Sequence, residues 1–134
     1  MLKLVIFDVD GTLIDSQAVI LEAMGCAFAA AGRPSPPREA ALGIVGLSLP
    51  EAMAALVPDA APAERDALVH HYKAGFRAIR EGGGGEHATP FYPGAREGIE
   101  RLDGAGYLLG IATGKARRGL DHMLDAHDLR PRFV

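Results

Sequence analysis

Apolar residues along this chain follow two patterns. In two places they run almost without interruption, from Leu2 to Phe7 and from Tyr107 to Ala112. Runs this short and rich in branched residues predict strands buried on both faces, as in parallel sheets. Elsewhere apolar residues recur every three or four positions, which places them on one face of a helix. Between Gln17 and Ala31 the stripe is Ile20, Met24, Phe28 and Ala31, widened by Leu21 and Ala27, and Gly32 and Pro34 stop it. Asp15 and Ser16 offer caps at its start.

Further helices follow. Ser35-Pro36-Pro37 starts a short second one, with proline tolerated in the first turn. Gly43 and Gly46 bracket a loop, and Ser48 with Glu51 forms a capping box for a helix from Leu49 to Leu56. A longer helix runs from Pro62 to about Glu81, with Leu68, Tyr72, Phe76 and Ile79 as its apolar stripe and Val69 beside it. Lys73, Arg77 and Arg80 share another face of it and read as solvated surface, with contact to a substrate anion as the alternative. His70 and His71 point about 100° apart on such a helix, so they read as surface or interface residues and not as metal ligands. Cys26 reads as a small buried filler of the first helix, with a reactive thiol as the alternative.

Gly82 to Gly85 cannot hold a helix and reads as a flexible link. Thr89 to Gly94 is extended and turn-forming. A helix from Ala95 to Asp103 carries Ile99 and Leu102 inward. After the second strand, Ala116 to His127 carries Leu120, Met123 and Leu124 on one side. Phe133-Val134 looks like the start of a third strand. The pattern is strand, then helices only, then helix, strand, helix. It predicts an all-helical insertion, residues 16–86, within an α/β unit made of residues 1–15 and 87–134.

Composition changes this picture little. With 49% hydrophobic and 23% charged residues the chain is an ordinary globular one. A net charge of −3 gives no reason to expect nucleic acid or an anionic membrane as a partner. The single cysteine cannot form an internal disulfide, which fits a reducing cytoplasmic setting. No signal peptide is evident, and no apolar run approaches the about 20 residues of a transmembrane helix.

The candidate chemistry sits where the two strands end. The first leads into Asp8-Val9-Asp10-Gly11-Thr12-Leu13. Ligands of open parallel sheets bind at the carboxyl ends of strands. Side chains two apart on extended backbone share a face, so Asp8 and Asp10 can enter one site. Two close carboxylates repel, so one is protonated or a divalent cation lies between them. Gly11 allows a sharp turn. The second strand leads into Thr113-Gly114-Lys115 and a helix start, where a hydroxyl and an amide can hold an anion. Adjacent parallel strands would bring both ends to one crevice.

The segment Asp8-Val9-Asp10-Gly11-Thr12-Leu13 resembles the first motif of the haloacid dehalogenase (HAD) superfamily, in its phosphatase branch. Ile111-Ala112-Thr113-Gly114-Lys115 resembles the second, which carries Ser or Thr at the place of Thr113. The resemblance implies a HAD-like, Rossmann-like parallel sheet core with an inserted helical cap, nearest the phosphoglycolate-phosphatase-like group. It implies a phosphatase for a small phosphorylated metabolite. Asp8 matches the nucleophile and Asp10 the general acid/base. Thr113 matches the phosphate-holding hydroxyl, with the Gly114 amide beside it. Mg²⁺ would be held by the Asp8 carboxylate and the Asp10 carbonyl. The loop from Gly43 to Leu49 lies where the cap's specificity loop would be, or is a plain interhelical turn.

The resemblance also sets limits. The family's third motif, a lysine, and its fourth, an acidic pair, normally lie beyond Val134, and Lys115 is not that lysine. The core is thus expected to be incomplete at its C-terminus, with Leu4, Val5 and Ile6 on an open apolar edge. The chain alone is expected to be marginally stable, to self-associate through that edge or be completed by another segment, to bind Mg²⁺ weakly and to turn over little. The alternatives are a non-catalytic fragment or assembly module, and a phosphosugar mutase with the same first motif.

Overall fold

The computed structural model describes residues 1–84 and 89–134. The domain boundary expected at residues 86 and 87, and the Gly85 end of the glycine run, lie outside the described residues. Strand β1 spans Leu4–Phe7 and β2 Leu108–Ile111. They pair in parallel, with Leu4 opposite Leu108 and Phe7 opposite Ile111. The amide of Ala112 donates to the Phe7 carbonyl at 2.9 Å, so the two carboxyl ends lie side by side. This α/β arrangement is the one expected. Phe133 is extended and the Val134 amide donates to the Leu109 carbonyl at 2.9 Å, so the chain returns beside β2 as the sequence suggests.

The strands are not buried on both faces as expected. Val5 and Phe7 are half-buried, but Leu4 and Ile6 are 55% and 60% exposed. The reason is the placement of helices. Helix α5 (Ala95–Gly104) and helix α6 (Arg117–Ala126) supply Ile99, Met123 and Leu124 to one cluster with Val9, Leu13, Ile14, Leu109 and Leu129. Val5, Phe7 and Ile111 pack against that cluster, and their period-two neighbours Leu4 and Ile6 point the other way.

A second cluster is built from helices alone. Helices α1 (Gln17–Ala30), α2 (Arg38–Gly43), α3 (Leu49–Leu56) and α4 (Pro62–Ile79) bury Met24, Phe28, Ala41, Met53, Leu68 and Tyr72 together. α1 and α4 approach closely: a Cβ on Gly75 would lie 3.4 Å from the Cβ of Cys26. Cys26 is exposed all the same, not a buried filler, because it sits at the edge of this contact rather than beneath it.

Local signals account for most helix ends. Ser48 Oγ accepts from the Glu51 amide at 3.5 Å and the Glu51 carboxylate accepts from the Ser48 amide at 3.2 Å, which completes the capping box of α3. Asp15 Oδ1 accepts from the Gln17 amide at 3.2 Å, so at α1 Asp15 does what Ser16 does not. α2 begins at Arg38 rather than Ser35, since Pro37 keeps extended backbone (ψ 148°). Arg80–Gly84 extends α4 as a π-helical turn, so the first glycines of the run are wound, unlike the expected link.

Candidate active site

β1 delivers Asp8 and Asp10 into a tight turn. The Val9 carbonyl accepts from the amides of Thr12, Leu13 and Ile14, and Gly11 takes φ +78°, a left-handed conformation that suits glycine. Asp15 and Tyr92 then tie this turn to the returning chain through the Pro90 and Leu13 carbonyls. Asp8 is exposed, and its Oδ1 accepts from the Val9 amide at 2.8 Å, which fixes the carboxylate at the strand end.

β2 delivers Thr113, Gly114 and Lys115. Thr113 Oγ1 accepts from the Lys115 amide at 3.1 Å, which shapes the loop and leaves the hydroxyl hydrogen available to donate. The helix itself begins only at Arg117, so Gly114 precedes its first turn and the macrodipole acts on it less directly than the sequence suggests.

Lys115 joins the two strand ends. Its Nζ lies 3.3 Å and 3.4 Å from the two carboxylate oxygens of Asp10. The pair is sheltered, with side chains 12% and 15% exposed, so water screens it little. The ammonium also stands 5.2 Å from the centroid of the Phe76 ring on α4, and its stem covers Gly119. Sequence reasoning passed over Lys115. Its position one residue past Thr-Gly was the available signal.

Above the strand ends lies a cavity of about 360 Å³, within the usual range for small-molecule sites. Asp8, Asp10, Thr113 and Gly114 line its floor. Tyr72 and Phe76 line it from α4, and Ile44 to Leu47 from the loop after α2. Burial, and the negative charge of Asp10, hold the Tyr72 phenol well above the ordinary tyrosine range. Lys73, Arg77 and Arg80 also line the cavity. Lys73 and Arg77 are exposed, as a solvated face would be, and with half-buried Arg80 they also border the cavity. His70 and His71 stack edge to face at 5.8 Å, away from the cavity lining.

The sequence profile of the haloacid dehalogenase-like hydrolases matches residues 5–134. The chain belongs to this family. A probable phosphatase, IndB, of Dickeya dadantii is 34% identical over 137 residues, covering 96% of this chain and 55% of the relative. A phosphoglycolate phosphatase of Aliivibrio fischeri is 29% identical over 143 residues, covering 98% and 59%. A haloacid dehalogenase-like hydrolase from Streptococcus pneumoniae superposes with a TM-score of 0.81 at 25% identity, over 98% of this chain and 59% of that one. The chain thus spans little more than half the length of the curated relatives it matches. In this member of the family, no described helix is long and apolar enough to cross a membrane.

Proposed function

We propose that the protein is a Mg²⁺-dependent phosphomonoesterase for a small, phosphoglycolate-like metabolite in the cytoplasm, working through an aspartyl-phosphate on Asp8. The observation that carries this reading is the convergence of Asp8, Asp10, Thr113 and Lys115 on one cavity at the ends of two paired strands. Residues 16–86 serve as a cap over residues 1–15 and 87–134, a reading supported by the separate apolar cluster of the four helices.

The donor set fits Mg²⁺. The Asp8 carboxylate and the Asp10 carbonyl on one turn are hard oxygen donors, and Mg²⁺ usually takes one or two protein carboxylates together with substrate phosphate and water. Asp8 would hold the ion through its carboxylate and Asp10 through its carbonyl. When bound, the ion supplies positive charge against the phosphate and the two acids.

The residues do the rest. The Thr113 hydroxyl and the Gly114 amide hold phosphate oxygens, and the Lys115 ammonium offsets charge beside Asp10. An Asp8 oxygen attacks phosphorus. The bond from phosphorus to the ester oxygen breaks, and Asp10, as the acid, gives that oxygen its proton. The phosphoryl group is then on Asp8. Asp10, now a carboxylate, takes a proton from water as the water oxygen attacks phosphorus. The bond to Asp8 breaks and phosphate leaves, with both acids restored. The loop at Ile44 to Leu47 and the rings of Tyr72 and Phe76 wall the cavity above the site.

Phosphate release from phosphoglycolate and p-nitrophenyl phosphate in the presence of Mg²⁺ tests this reading. Asp8→Asn is expected to abolish release while leaving the circular dichroism spectrum unchanged. Substantial turnover by that variant would overturn the assignment.

A further inference from the structure

The two acids of the site are held in different ways. The Asp8 carboxylate is set by its own backbone, since Oδ1 accepts from the Val9 amide at 2.8 Å. Asp10 has its backbone fixed by the turn, where it bridges Ile14 and the Gly11 amide donates to the Ile14 carbonyl at 3.0 Å. Its carboxylate, among the described residues, accepts hydrogen bonds from Lys115 alone, at 3.3 Å and 3.4 Å to the two oxygens. Nearly equal distances put the ammonium between the oxygens, so it steers the whole carboxylate and not one atom of it. Both distances exceed the roughly 2.7–2.9 Å of a tight charge-assisted bond, so the acid is aimed without being clamped.

Lys115 is itself held from three sides. Thr113 Oγ1 accepts from its amide at 3.1 Å, its stem lies against Gly119, and the Phe76 ring on α4 faces its ammonium. Among the described residues it pairs with no other acid. A free lysine samples many rotamers, whereas packing orders this one before a substrate arrives. What such a lysine does follows from the charge that Asp10 acquires. As Asp10 gives its proton to the ester oxygen, negative charge grows on its carboxylate in a sheltered site. An ammonium already in place stabilises that charge as it forms, with no reorganisation at the moment of reaction.

We infer, resting on the phosphomonoesterase reading, that Lys115 is the positioning residue of Asp10, aiming that carboxyl group at the leaving oxygen and stabilising the charge left when its proton departs. Lys115 keeps its own protons and takes part in no bond that forms or breaks. Its effect therefore grows with the leaving group's need for a proton. An alkoxide leaves badly without one, and p-nitrophenolate leaves unaided.

A series of p-nitrophenyl, phenyl and benzyl phosphates tests this, since the three share an aromatic body and need the proton increasingly. The quantity measured is kcat/KM with Mg²⁺ present, which covers the steps through phosphoryl transfer to Asp8 and not the later hydrolysis. Lys115→Met keeps most of the stem and removes the charge. Its loss is expected to rise along the series, from about threefold or less on p-nitrophenyl phosphate to at least about 10²-fold on benzyl phosphate, the usual size of a general-acid contribution. A role confined to folding or to phosphate binding lowers all three alike. Lys115→Arg is expected to recover part of the loss on benzyl phosphate. Phe76→Leu, which removes the ring behind the ammonium, is expected to repeat the graded loss in smaller measure, and it supplies the reading should Lys115→Met not fold. An equal loss on all three substrates, or none, would overturn the role of Lys115 and leave the phosphatase reading in place. The same holds if the unaltered protein hydrolyses p-nitrophenyl phosphate alone, because no acid then assists the leaving group. If it hydrolyses none of the three, the inference falls, and release of phosphate from phosphoglycolate decides whether the phosphatase reading falls with it.

Discussion

Gly114 lies directly under Gly46. A Cβ on Gly114 would overlap the Gly46 carbonyl oxygen and stand 2.9 Å from its carbon and 3.1 Å from the Leu47 oxygen. These are backbone atoms and cannot swing aside. The loop after α2 therefore rests on the β2 loop that carries Thr113. Gly114→Ala must lift that loop from the site. Its kcat/KM is expected to fall by about 10²-fold, the usual consequence of misplacing reacting groups by about 1 Å. Gly43→Ala, whose Cβ would meet nothing within 4 Å, serves as the control. Steady-state kinetics on the two variants decide the point, and equal rates would show that the loop contact has no part in activity.

The helical cluster is expected to lose stability on its own terms. Leu68 is fully buried among Met24, Phe28 and Met53. Leu68→Ala removes those contacts and leaves a cavity, at a cost of roughly 2–5 kcal/mol. If residues 16–86 form a separate cap, amide exchange should rise in α1 to α4 and little in β1, β2, α5 and α6. Uniform acceleration over both clusters would contradict a separate cap.

Helix α3 depends on its start. Ser48→Ala deletes the hydroxyl that accepts from the Glu51 amide and donates to the Glu51 carboxylate, leaving that carboxylate only its bond from the Ser48 amide. A loss of about 1 kcal/mol is expected in urea unfolding. Glu51→Gln keeps the box and should cost less. The reverse order would mean that charge at the helix start, not the cap, carries the effect.

The face formed by Leu4 and Ile6 is open, and among the described residues β1 pairs on one edge only. An exposed apolar strand of this kind favours pairing with a second copy. Sedimentation of the 134-residue chain is expected to show concentration-dependent association, abolished by Leu4→Lys with Ile6→Lys. A monomer at every concentration would refute it.

Much of this was legible in the chain itself. The strand-end acids, the Thr113-Gly114 loop, the capping box of Ser48 and the helical stretch between two α/β segments are local features. They follow from period, turn chemistry and motif within a few residues. What the sequence could not decide depends on which elements meet. Burial of β1 was read as two-sided because its residues are apolar, yet Leu4 and Ile6 are exposed, since α5 and α6 cover one face. Lys73, Arg77 and Arg80 have the spacing of a solvated face, and only the packing of α4 over the strand ends brings that face to the border of the cavity. Lys115 reaches Asp10 across 105 positions of chain because β1 and β2 pair in parallel. Hydrogen-bonded registers and helix faces are set by long-range contacts. No local pattern encodes the partner, so the site's charge balance belongs to the tertiary structure.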